Sequence, residues 1–244
     1  MPLGETQRVV ARPILRPLGN SGVLVGIGDG ADEAMAMRAM ELAASIRSAL
    51  GSAALDVVPA YNSVLVRFDP LTTSAARQLA MVGEAVDQLA IDFAPANEHH
   101  DWSPRHFTFG VCFGGQFGLD FEQTAHDLGM RERRMRDLIC QPEYRVAFLG
   151  FLAGFPYLFG LPDAFASAHR RSSPRPRVPA GSVAIAAGQC GVYPRTASGG
   201  WRLLGQTAAV LFEPERDPAA LLRPGDYVRF DPRERLADAS ADVA

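Results

Sequence analysis

Four arginines crowd one short stretch of this chain. Arg170, Arg171, Arg175 and Arg177 lie in HRRSSPRPRVPAGS, directly before the apolar run Val183–Ala187. A guanidinium is a planar fork of donors that matches a carboxylate or phosphate with paired hydrogen bonds. Prolines at 174, 176 and 179 fix the backbone between them, so less freedom is lost on closing around an anion. Arg171, Arg175 and Arg177 are therefore candidates for an anion clamp; the other reading is surface arginines covering a β edge. Farther on, Gln189, Tyr193 and Trp201 sit among glycines, in AAGQCGVYP and ASGGW. Large polar-tipped side chains on glycine-rich turns can line a pocket, or they can pack as core. Trp201 taken alone reads as core. The apolar GFLAGFPYLFGL upstream is either core or a surface for a partner protein.

Other chemistry is sparse. All 24 lysine-or-arginine positions are arginine, which excludes Schiff-base lysines and a P-loop lysine. The three cysteines, Cys112, Cys140 and Cys190, are odd in number, far apart and without a C-x-x-C, so they read as small buried hydrophobes. His99, His100 and Asp101, with His106 nearby, read as a solvated linker; adjacent histidines cannot easily both face one ion, and no metal is expected. Ser182 in Pro-Ala-Gly-Ser-Val reads as a turn serine with no base beside it. Gly26-Ile27-Gly28-Asp29-Gly30 sits between a strand and a helix, but its third glycine comes early for a dinucleotide fingerprint, and it reads as a plain turn. A net charge of −3 gives no reason to expect nucleic-acid binding, and the RERRMR run at 131–136 reads as a solvated helix face. MPLGETQRVV lacks an apolar signal core, and no run of 18 apolar residues occurs. The expectation is a cytoplasmic protein with no membrane span.

The elements that must position these residues fall into two groups. Short apolar runs at Ile14–Arg16, Gly22–Ile27, Leu55–Ala60 and Ser63–Phe68 read as strands. Apolar residues at helical spacing predict helices over about 32–50 and 74–90, the second capped by Thr73. This gives a small α/β domain over 1–94, with helices on one face of a sheet. APANEHHDWSP marks a linker at 95–105. From 106 to 235 the pattern is mostly β: a strand at His106–Phe113, two short helices (the first capped by Asp120, the second at Glu132–Ile139), then a strand at Glu143–Phe151. Apolar runs at Arg202–Leu204, Ala208–Phe212 and Leu221–Phe230 complete what reads as a barrel. Residues 236–244 read as a flexible tail. The fold class is α+β.

A set of motifs carries a family resemblance. GF-x-x-GFPYL-x-GLP, HRR-x-x-PR-x-RVPAGSVAIA, GQ-x-GVYP, GGWRL-x-G and FEPERDPAALLRPGDYVRF occur in that order, with PAYNSVLVRFDP earlier. From about Arg16 to Phe230 the chain resembles the family of the 5-oxoprolinase B-type subunit, the Kip-type sporulation-kinase inhibitor and allophanate hydrolase subunit 1. The resemblance implies a small α/β domain followed by a cyclophilin-like β-barrel. It also implies assembly with a carboxyltransferase-like partner, of the kind that forms the C-type subunit of 5-oxoprolinase, and with a third hydrolase subunit. That assembly cleaves 5-oxoproline with ATP, so ATP is expected through the complex. The Kip-type members instead bind a histidine kinase.

The sequence departs from the family pattern at several positions. Ile139 stands where a histidine is usual, and Gln206 where an arginine is. Asn20 and Gln116 replace acids, while Ala153, Leu119 and Ser198 replace prolines. Two expectations follow from the resemblance. In the first, the chain is a subunit of an amidohydrolase- or carboxyltransferase-type complex; Arg171, Arg175 and Arg177 orient an anionic substrate, and Tyr157, Gln189, Tyr193 and Trp201 line its pocket. In the second, the chain is a non-catalytic module that inhibits a sensor kinase.

Overall fold

The computed structural model describes residues 13–30, 32–88 and 103–243. The candidate cluster His99, His100 and Asp101, and most of the expected linker, lie outside them. The chain divides into two compact units, 1–100 and 101–244.

The first unit runs β1 (Ile14–Pro17), β2 (Gly22–Gly26), α1 (Glu33–Leu50), β3 (Asp56–Pro59), β4 (Ser63–Arg67) and α2 (Ala75–Gln88). The four strands form one antiparallel sheet in the order β1-β2-β4-β3. Alternation decides its buried face: Val23, Val25, Val57, Val64 and Val66 point to one side. Against them pack Ala39, Leu42, Ala43 and Ile46 of α1 with Val82 and Val86 of α2, spaced three and four apart. Asp32 caps α1, accepting from the Met35 N–H at 2.8 Å. At α2 the cap is Ser74, whose Oγ accepts from the Arg77 N–H at 3.4 Å. Thr73, the expected cap, precedes it, and its hydroxyl is buried.

The second unit holds β5 (His106–Phe113), α3 (Phe121–Asp127), α4 (Glu132–Cys140), β6 (Tyr144–Leu149) and β7 (Pro156–Phe159). It continues with β8 (Arg175–Val178), β9 (Ser182–Ala186), β10 (Gln189–Val192), β11 (Ala197–Gly199), β12 (Arg202–Gln206), β13 (Tyr227–Pro232) and β14 (Ala241–Val243). The order β12-β9-β10-β7-β6-β13-β5 closes on itself through a β12–β5 pairing, giving a barrel of seven strands. Closure removes the open edges that a sheet would otherwise expose. One side of β5 pairs parallel with β13; the other is shared between β14 along Phe107–Phe109 and β12 at Cys112 and Phe113. The core gathers Phe107, Phe109, Val111, Tyr144, Val146, Val183, Ile185 and Phe230. All three cysteines are free, with Cys112 and Cys190 buried.

Two expectations change here. Ala241–Val243, read as tail, forms a strand, because the unpaired half of β5 offers backbone groups that a bland sequence can satisfy. Ala208–Phe212, read as a strand, makes only an isolated bridge from Phe212 to Ala220; the Ala208 N–H bonds the Ala239 carbonyl instead.

Candidate functional site

The site grows from the barrel wall's second face. Along β9, Val183 and Ile185 join the main core, while Ala184 and Ala186 point the other way. Strand register sets Tyr157, Gly191, Ala184 and Leu203 side by side across β7, β10, β9 and β12. Small residues in the middle of that row leave a bed for Phe155. A Cβ on Gly191 would stand 2.7 Å from the Phe155 ring, so the position must be glycine. Phe155 in turn meets Tyr157, Tyr193 and Trp201 edge-to-face, with centroids 5.1, 5.2 and 5.6 Å away. These are favourable geometries for rings with negative faces and positive edges.

Over this aromatic bed lies a cavity of about 270 Å³, lined by Phe151, Phe155, Tyr157, Arg170, Pro174, Tyr193, Ser198, Gly199, Gly200 and Trp201. Its volume suits a small metabolite, just under the roughly 300 Å³ at which drug-sized sites begin. Arg170 holds its guanidinium carbon 5.9 Å from the Trp201 ring centroid and makes no ion pair among the described residues. Tyr193 is 1% exposed, yet its hydroxyl makes no hydrogen bond to another described residue. Buried polar groups are normally satisfied, so an available hydroxyl at a cavity wall is ready for a ligand. Burial raises the Tyr157 and Tyr193 phenols above their ordinary value, against the lowering charge of Arg170; Tyr157 also raises Tyr193. Both rings therefore stay protonated near neutral pH and can donate. At the mouth, Phe151 is 61% exposed and has φ 66°, a left-handed conformation rare for a bulky residue. Such strain tends to gather at functional sites.

The structure separates the arginines. Arg171 and Arg175 both reach Asp120, whose carboxylate accepts from Arg171 at 3.0 Å, from Arg175 twice at 2.8 Å, and from the Leu203 N–H at 2.8 Å. The anion these two hold is thus the chain's own. Burial works to raise the Asp120 carboxyl. The Arg175 and Leu203 hydrogen bonds, with the charges of Arg175 and Arg171, outweigh it and hold the group below the usual carboxylate range. Asp120, the expected cap of α3, stands at the cap position but makes no capping bond, because its oxygens are taken by partners far along the chain. Arg177 is exposed on β8, and Gln189 begins β10; neither lines the cavity. Of the expected pocket residues, Tyr157, Tyr193 and Trp201 come together. Sequence reasoning missed Arg170 as a lining residue, along with Phe151, Phe155 and Ser198. No local signal in the sequence marks it: what separates Arg170 from Arg171 is Asp120, 51 residues away, which takes the second and leaves the first.

The substituted positions are scattered. Ile139 is fully buried in the core, its carbonyl accepting from the Tyr144 hydroxyl at 2.9 Å. Gln206 donates to the Ala180 carbonyl at 2.7 Å. Gln116 and Asn20 are exposed in loops. Ser198 alone among the substituted residues lines the cavity. The glycine turn Gly26–Gly30 does not fit a triphosphate: Asp32 already occupies the start of α1, where an anion would be repelled. No group of three or more metal-ligating side chains occurs among the described residues, and no helix there is long and apolar enough to cross a membrane.

Comparison with known proteins places this architecture. The family model described as carboxyltransferase domain, subdomain C and D, matches residues 13–222. The 5-oxoprolinase B-type subunit of Bacillus subtilis (strain 168) is 35% identical over 222 residues, covering 88% of this chain and 91% of that protein. The crystal structure of TTHA0988 matches with a TM-score of 0.71 at 34% identity, covering 91% of this chain and 40% of that one. The urea amidolyase of K. lactis shares the fold at 18% identity and a TM-score of 0.73, over 95% of this chain and 16% of that one. With the two-unit architecture, the closed barrel and these matches in agreement, the chain belongs to the carboxyltransferase domain, subdomain C and D, family.

Proposed function

We propose that this chain is the substrate-holding subunit of an ATP-dependent 5-oxoprolinase-like complex in the cytoplasm. One observation carries the reading: Arg170, without an ion pair among the described residues, and the available Tyr193 hydroxyl face one small aromatic cavity. Arg170 pairs with the carboxylate of 5-oxoproline or a related cyclic amide. Tyr193 donates to its amide carbonyl, and the flat ring lies among Phe155, Tyr157 and Trp201. Tyr157 and Tyr193, both held neutral, leave the cavity with no group that titrates near neutral pH. The cavity therefore binds and orients. Activation of the lactam with ATP falls to the partners, a carboxyltransferase-like one and a third hydrolase subunit. Arg171 and Arg175 act through the loop they anchor.

The reading is tested by reconstituting the chain with those partners and measuring glutamate release from 5-oxoproline and ATP. Arg170→Gln is expected to raise KM about tenfold or more, the loss of a charged hydrogen-bonded pair, with kcat less affected. An unchanged KM would remove the cavity from the reaction. A second reading, a non-catalytic module that inhibits a sensor histidine kinase, is favoured by the same lack of an acid or base in the cavity. A stable complex that releases no glutamate, together with kinase inhibition, would support it.

A further inference from the structure

We infer that Asp120, which lies outside the cavity lining, is a positioning residue that holds two cavity walls in register. It rests on the reading of the cavity as a substrate site, and its test separates the two. The first wall is the loop from Arg170 to Arg175, which brings Arg170 and Pro174 to the cavity. Asp120 grips this loop at both ends, through Arg171 and Arg175. The second wall is the start of β12, preceded by Trp201; Asp120 grips it at the Leu203 N–H. The walls are also joined directly, by the Arg171 N–H to the Gly200 carbonyl at 2.8 Å. One carboxylate, 6% exposed, thus makes four bonds to partners 51 to 83 residues away. Its cost is visible in α3, which starts without a side-chain cap. A residue used only for local helix stability would spend its oxygens on the helix.

The sign of one effect distinguishes positioning from plain electrostatics. Asp120→Asn makes the neighbourhood more positive by one charge. Electrostatics alone would then tighten the binding of any carboxylate. Positioning predicts the opposite, because Arg170 and the Trp201 ring lose their shared anchor.

The experiment uses the full chain with Trp102→Phe, leaving Trp201 as the single tryptophan. Acrylamide quenching of Trp201 reads the wall without any ligand, and titration with 5-oxoproline reads the site. Asp120→Asn is expected to raise quenching by about twofold as the wall loosens and to weaken 5-oxoproline binding about tenfold. Unchanged quenching, or tighter binding, would overturn the inference. If quenching rises but the parent chain binds no 5-oxoproline, the substrate reading fails and the positioning role stands. Should Asp120→Asn not fold, Arg171→Gln removes only the outer grip. The same two shifts, smaller, are then expected, and their absence overturns the inference.

Discussion

The aromatic cavity and the ionic cluster behind it are built from neighbouring residues of one loop and serve opposite ends. Arg171 and Arg175 both pair with Asp120; Arg170, next to Arg171 in the chain, turns to the cavity over Trp201. Identical chemistry is divided by geometry into structural and available charge. The lesson is that a cluster of arginines is not yet an anion site. What matters is whether a carboxylate of the chain reaches it first, and which guanidinium remains. In the cluster both oxygens of Asp120 are satisfied, whereas at the cavity Tyr193 and Arg170 keep their capacity open.

That contrast can be broken or sharpened. The largest effect is expected from Asp120→Ala, which leaves two guanidiniums and the Leu203 N–H without their acceptor. Loss of one partner of a largely buried pair costs about 3–5 kcal/mol, read by denaturant unfolding; a loss under about 1 kcal/mol would place the cluster among ordinary surface pairs. The pH dependence follows from the lowered Asp120 value. Its contribution is complete above the unfolded carboxylate pKa and is lost as pH falls through the folded value. The stability gap between wild type and Asp120→Asn should therefore be widest near neutrality and close below about pH 4. A gap that is flat with pH would contradict the ionic account.

On the cavity side, Gly199→Val should disrupt the wall with less effect on the fold. A Cβ there would stand 2.1 Å from the Tyr193 hydroxyl, so the ring must move. A destabilisation of about 1–3 kcal/mol is expected, with loss of ligand binding, since overpacking forces side chains from their preferred positions. Full binding by the variant would mean that the Tyr193 hydroxyl is not used. The smallest effect concerns Ala187, exposed in the β9–β10 turn with φ 49°. Ala187→Gly removes left-handed strain and should be stabilising by no more than about 1 kcal/mol, with binding unchanged.

Much of this was legible in the sequence where the signal is local. Short apolar runs and helical spacing predict the four strands and two helices of the first unit, and Tyr157, Tyr193 and Trp201, expected to line a pocket, lie on one cavity wall. What escaped was non-local. Asp120 has the type and place of a helix cap, and nothing nearby in sequence reveals partners 51 and 55 residues on. Arg170 and Arg171 are adjacent and indistinguishable by composition. Only register across β12 and the loop separates them. The C-terminal strand was invisible for the same reason, since its residues are ordinary and the demand for pairing comes from β5.

The measurement that tests the central claim most directly is calorimetric titration of the chain with 5-oxoproline, beside Arg170→Gln and Arg177→Gln. The account predicts binding by the wild type and by Arg177→Gln, with affinity reduced about tenfold or more in Arg170→Gln. Equal affinity in all three, or a loss confined to Arg177→Gln, would contradict it.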